Sequence, residues 1–227
     1  MLFRSQLGLA FVLYAEDNQD VIVPSDWNGK GMGGGGYWPG PTPGLSAGID
    51  TTEALRRVRA GLSNGPLFKY LSSYDSYHCP GDLRTKRLKP GKGWAFDSYS
   101  KPDGMNGGGW PGIKAHIKVS SIPSSSGAFI FIEECDPRDF NAGTWVIDVN
   151  PPGWVDPFAI FHGTSSTFSF ADGHAESKKW VDSATIKAAT QSAAGVQSFF
   201  WTGGNAKNAD FRWVWDRFRH EAWRELK

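Results

Sequence analysis

The residues with most chemistry in reach lie in one short stretch, FHGTSSTFSFADGHAESKKW, residues Phe161 to Trp180. It holds His162, Asp172, Gly173 and His174 with several hydroxyls. Catalysis would need a nucleophile or water activator beside an oriented base. His162, Asp172, His174 and the serines qualify by type, and a metal-dependent hydrolase could be built from them. Their spacing matches neither a nucleophile elbow nor a zinc helix. A carboxylate site for a Ca²⁺-like ion could instead draw on Glu134, Asp136 and Asp172, although no EF-hand spacing is present.

Local structure offers a plainer explanation. Asp172-Gly173 between two strand-like runs signals a two-residue hairpin turn. Such a turn pairs Ala171 with His174, Phe170 with Ala175 and Ser169 with Glu176. Phe168, Phe170 and Ala175 then face a core, while Ser169, His174 and Glu176 face water. An unbroken strand points His162 inward and His174 outward, so the two rings could not share a metal ion; a bulge at Gly163 would undo this. The expectation is a structural hairpin, with His162 bonded to a backbone carbonyl or to a carboxylate such as Glu134.

The elements that must position this stretch can be read along the chain. Leu2 to Tyr14 is apolar and helical, with Leu7, Phe11 and Tyr14 on one face and Asn18 as a C-terminal cap. Val23 to Gly48 is a long loop rich in Gly, Pro and Trp. TTEALRRVRAGL is a second helix, capped by Thr51 or Thr52, with Leu55, Val58 and Leu62 on its stripe. Strands are expected over Trp94–Ser100 and Ala115–Val119. GAFIFI, Gly127–Ile132, is a central strand covered on both faces. TWVIDV, Thr144–Val149, is another strand. Ser183–Ser192 forms a helix capped by Ser183, and Asp210–Leu226 a helical tail. No linker divides the chain, so residues 1–227 read as one domain: 1–17 is the remnant of an N-terminal helix and 18–227 the globular part.

Composition narrows the function classes. High Gly, Pro and Trp favour an irregular, loop-rich β protein. A net charge of +1 gives no case for nucleic acid. The basic run in YHCPGDLRTKRLKPGKG lacks interleaved aromatics and reads as a solvated loop. The apolar run Leu7–Ala15 is too short to span a bilayer, and no cleavage site for a signal peptide follows it. Cys79 and Cys135 could pair in a disulfide. Among eleven tryptophans, the loop residues Trp27, Trp38, Trp110 and Trp154 could stack on sugars in a glycan-binding module, or pin loops to a core.

Ordered segments carry a resemblance. His162, nine residues, then Asp172-Gly173 resembles the C-terminal signature of prepilin-like proteins of Planctomycetes and Verrucomicrobia. SQLGLAFVLYAEDNQDVIVP, GPLFKYLSSYDSYHCPGD, Ser98-Tyr99-Ser100, IPSSSGAFIFIEE and DFRWVWDRF resemble further family segments in the same order and cover most of the chain. The family's basic leader, prepilin cleavage site and long upper helix are not matched, so the natural protein is expected to begin further upstream. The resemblance implies an α+β, pseudopilin-like fold: an N-terminal helix packed on an antiparallel sheet with long loops. It also implies export to the cell envelope and a role in a type II secretion or type IV pilus-like filament, which reads as non-catalytic and structural; apart from the Ca²⁺-like ion, no cofactor is expected. Other pilin-like subunits, met through the N-terminal helix, the secretion machinery, and the inner membrane for the precursor are the implied partners.

Overall fold

β2 (Phe129–Glu133) is buried along its whole length and lies at the centre of the main sheet. The computed structural model describes residues 2–25, 38, 49–87, 97–137, 141, 143–196 and 199–227. They form an α+β fold with α1 (Leu2–Asp17), α2 (Thr51–Ser63), α3 (Ser183–Ala193) and α4 (Ala209–Trp215). Strands β1 (Tyr99–Pro102), β2, β3 (Thr144–Trp145), β6 (Ser165–Phe170) and β7 (Ala175–Lys179) form a five-stranded sheet of order β3-β1-β2-β6-β7. β4 (Ile147–Val149) and β5 (Pro152–Trp154) form a separate two-stranded sheet. The main sheet is mixed and not antiparallel throughout, because β1 pairs parallel with β3. No helix among the described residues is long and apolar enough to cross a membrane.

The apolar run of β2 feeds two cores. Phe129 lies opposite Phe170, and Phe131 opposite Ser169, so two steps on β2 match one on β6. This bulge changes the alternation of side chains. Phe129 and Ile132 join Phe168 and Phe170 in a cluster completed by Trp145, Trp154, Trp180, Phe211 and Phe218. Ile130 and Phe131 join the other cluster, with Phe11, Trp38, Tyr77 and Leu62. Phe11 meets Phe131 edge to face, with ring centroids 6.3 Å apart.

α1 turns its predicted face inward: Leu7, Phe11 and Tyr14 are buried. Gly8 keeps the crossing close, because a Cβ there would lie a tight 3.2 Å from the Gly173 carbonyl oxygen. The Asn18 amide donates to the Tyr14 carbonyl (2.7 Å) and closes the helix. Asp50, not Thr51 or Thr52, caps α2 by accepting from the Glu53 N–H, and Ala54 replaces Leu55 on the buried stripe. Asp182, not Ser183, caps α3. In both cases a carboxylate one residue earlier is the stronger acceptor at the positive end of the helix.

Several strand boundaries differ from expectation. Thr144–Val149 splits between the two sheets as β3 and β4, at Val146, whose N–H bonds the Asp156 carboxylate. Ala115–Val119 forms only isolated bridges through His116 and Lys118 before a 3₁₀ turn. The strand expected from Trp94 begins at Tyr99 among the described residues. The C-terminal helix stops at Trp215.

Candidate functional site

The Asp172-Gly173 hairpin closes with three loop residues, not two. Phe170 accepts the Gly173 N–H (2.9 Å), and the Phe170 N–H donates to the His174 carbonyl (2.9 Å). Only Gly173 has a positive φ, +89°, as expected of a type I turn followed by a left-handed glycine. The register therefore shifts by one residue, with Ser169 opposite Ala175 and Phe168 opposite Glu176. Ser169 is buried, and His174 moves to the Phe168–Phe170 side. There it stacks on Phe170 at 4.3 Å and 7°.

Asp172 serves this turn. Its Oδ1 meets His174 Nδ1 at 2.6 Å and accepts the His174 N–H at 3.2 Å. Burial pushes its carboxyl up, but the bonds from His174 outweigh that and hold it below the ordinary aspartate value.

The other end of β6 is where reactive side chains converge. Cys79 follows a 3₁₀ turn (Tyr74–Tyr77) and begins the sequence Cys79-Pro80-Gly81-Asp82. That turn is closed by the Asp82 N–H on the Cys79 carbonyl (2.8 Å). The Cys79 N–H donates to Ser98 Oγ (2.9 Å), and Ser98 Oγ donates to Asp82 Oδ2 (2.8 Å). Asp82 pairs with Arg84 at 2.7 Å, both side chains being almost wholly buried. Burial works against the Arg84 charge, and the Asp82 carboxylate more than offsets it, so the guanidinium is held above its ordinary value. Arg84 also donates to the Glu134 carbonyl (3.0 Å) and Asn141 Oδ1 (2.8 Å), tying the loop to the end of β2. The basic run is thus not wholly solvated. Gly81 lets the loop press on the next segment, since a Cβ there would lie 2.9 Å from the Phe161 carbonyl oxygen.

That segment carries His162. Its Nε2 is 3.3 Å from Cys79 Sγ and 3.0 Å from Glu133 Oε1. Glu133, the buried last residue of β2, is fixed by its other oxygen, which accepts the Thr167 N–H (3.0 Å). One ligand atom from each of Cys79, Glu133 and His162 lies within 4.8 Å of the other two. Among the described residues no other three His, Cys, Asp or Glu side chains converge in this way.

No family model, curated protein or solved structure matches the chain.

The expected sites fare differently. His162 does bond a carboxylate, but of Glu133; the neighbouring Glu134 instead accepts from Ser100 Oγ. Burial, then Asp156 and Asp136, push the Glu134 carboxyl well above its ordinary value. Asp172 cannot join Glu134 and Asp136. Its hairpin adjoins the Phe129 end of β2, about 16 Å from Glu134 at ~3.3 Å per residue. His162 and His174 likewise flank opposite ends of β6, so the trio His162, Asp172, His174 is not assembled.

Cys79 and Cys135 do not form a disulfide. Trp38 and Trp154 are buried in the two cores and cannot stack on a sugar. Trp110 is half-buried, its Nε1–H on Asp148 (2.8 Å), and Trp27 lies outside the described residues.

The convergence of Cys79 and Glu133 on His162 went unseen in the sequence. The available signal was that three segments of the resemblance, the Cys-Pro-Gly-Asp turn, the strand ending Glu133-Glu134 and the His162 segment, meet here. A thiol, a carboxylate and an imidazole can act as a nucleophile relay or as metal ligands. A relay needs thiol and carboxylate on different ring nitrogens. Here both address Nε2, which is the arrangement of a common ligand centre.

Proposed function

We propose that the chain is a non-catalytic structural subunit of a type II secretion or type IV pilus-like filament of the cell envelope, joined to its neighbours through α1. The observation that supports this reading most is the two-sided apolar character of that helix. Leu7, Ala10, Phe11 and Tyr14 face inward and are buried, yet Leu9 and Leu13 on the outer side remain 55% and 36% exposed. A helix that only covers a sheet carries charge on its outer face. One that also packs against copies of itself keeps leucines there. In this reading the precursor is held by the inner membrane and handled by the secretion machinery, and no cofactor takes part in assembly.

The test uses the complete gene expressed in a host with a pilin-assembly system. Filaments are scored by electron microscopy and subunit association by sedimentation. The wild type should assemble. Leu9→Glu with Leu13→Glu should stay monomeric with little change in melting temperature, since outward substitutions usually cost within about 0.5 kcal/mol. Assembly of the double variant at wild-type level, or a wild type that never associates, would sink the proposal.

A further inference from the structure

We propose that Cys79, Glu133 and His162 bind a divalent transition metal of the zinc class, with the fourth position left to water. This goes beyond the filament reading and does not depend on it.

The distances fit before any metal is placed. Tetrahedral zinc with a thiolate at ~2.3 Å and nitrogen and oxygen at ~2.0–2.2 Å sets neighbouring donors about 3.4–3.6 Å apart. In the protein Nε2 is 3.3 Å from Sγ and 3.0 Å from Oε1. A few tenths of an ångström of side-chain adjustment would bring these two separations to the metal-bound values, and the thiol and carboxylate donors lie within 4.8 Å of each other. Charge balances as well. A thiolate and a carboxylate cancel the two positive charges, so the loaded site is neutral, as a buried site must nearly be. The protons also have places to go: the Sγ proton leaves to solvent, and Nε2 is freed when the ring keeps its proton on Nδ1.

The surroundings hold the ligands in place. The Thr167 N–H occupies Glu133 Oε2 and leaves Oε1 turned to the centre. The Cys79 N–H on Ser98 Oγ, and Ser98 on Asp82, set the thiol's loop. Such outer bonds orient ligands and raise affinity. Access is one-sided: the Glu133 side chain is fully buried and that of His162 is 39% exposed. The ion enters past the imidazole, and the water ligand sits on that side.

The sulfur ligand decides the class of metal. Ca²⁺ and Mg²⁺ take oxygen, whereas a thiolate with an imidazole selects zinc and its neighbours. The metal would join three segments far apart in sequence: the Cys79 loop, the end of β2 and the foot of the hairpin.

The test is a titration of the full-length, chelator-stripped protein with Zn²⁺ against a chromophoric chelator, and in parallel with Co²⁺. One zinc per chain and a raised melting temperature are expected, with no response to Ca²⁺. Co²⁺ should give intense tetrahedral bands and a thiolate charge-transfer band that Cys79→Ser removes. His162→Gln changes a half-exposed ring and should fold. It should weaken binding by roughly 100-fold or more, since losing an outer partner alone costs ~10–100-fold. His174→Gln should bind as the wild type does. Zinc bound equally by wild type and His162→Gln, or Co²⁺ without a charge-transfer band in the wild type, would overturn the assignment. If either variant fails to fold, the wild-type Co²⁺ spectrum and stoichiometry decide it.

Discussion

Replacing Lys101 by Met should stabilise the protein, and the gain should depend on pH. Lys101 lies in β1 between β2 and β3, its side chain fully buried. Its Nζ has no hydrogen-bond partner among the described residues. Burial drives its pKa from 10.5 down to about 7, with only Asp103 opposing the shift. A drop of that size corresponds to roughly 4–5 kcal/mol at ~1.36 kcal/mol per pH unit. The sign follows from proton counts. Between about pH 7 and 10.5 the unfolded chain keeps a proton that the folded chain has lost, so stability rises with pH across that window. Below about pH 7 the whole penalty is felt.

Met fills similar volume without the charge, at about 1 kcal/mol for imperfect shape. Asp103 is not stranded by the change, because its carboxylate accepts the Gly109 and Trp110 N–H groups. Urea unfolding of both proteins at pH 6, 8 and 9.5 provides the assay. Lys101→Met should be more stable by about 3 kcal/mol at the lowest pH, with the difference shrinking steadily toward the highest. A wild type that is the more stable protein at pH 6, or a difference that ignores pH, would refute the reasoning by showing the amine well paired.

Other perturbations have equally definite outcomes. Gly173→Val forces a β-branched residue to φ +89° and should cost ~1–3 kcal/mol in thermal melts, an unchanged melting temperature showing that the turn is not left-handed there. Asp82→Ala strands the buried Arg84 guanidinium and should cost ~3–5 kcal/mol by urea titration, whereas Asp82→Leu with Arg84→Met should recover much of it. His220 is held near pKa 4 chiefly by burial, with His116 and Arg224 adding repulsion, against 6.5 when unfolded. The unfolded chain therefore takes up its proton first, and stability should fall as pH drops through 6.5 toward 4. In His220→Phe that loss should be smaller, as urea midpoints at pH 7 and 4.5 will show.

The parts legible in the sequence were those fixed by local patterning. The inward face of α1, the bodies of α2 and α3, the buried strand at Phe131 and the hairpin strands all follow from periodicity and turn residues. Register was not legible. Asp-Gly fits a two-residue turn with both residues left-handed or a three-residue loop with the glycine alone left-handed, and the choice moves His174 to the other face. The bulge in β2 was equally hidden, since an unbroken apolar run reads the same with or without one. His162 stands out in the sequence, but its carboxylate partner is Glu133, one position before the expected Glu134. Nothing local to Cys79 points to His162. Its meeting with His162 spans 83 residues, and that of His162 with Glu133 spans 29. Contacts at such separation are set by topology, not by any motif.

The ends of the main sheet bear on how copies of this chain could associate. One outer strand, β3, is two residues long, and the other, β7, reads Ala-Glu-Ser-Lys-Lys. A short edge and a charged edge are both poor templates for another strand. Among the described residues, both edges of the main sheet therefore disfavour backbone ladders between subunits, the route to β-fibres and strand exchange. Contacts between copies across these two edges would fall to side chains, where a single substitution can weaken them without touching the fold.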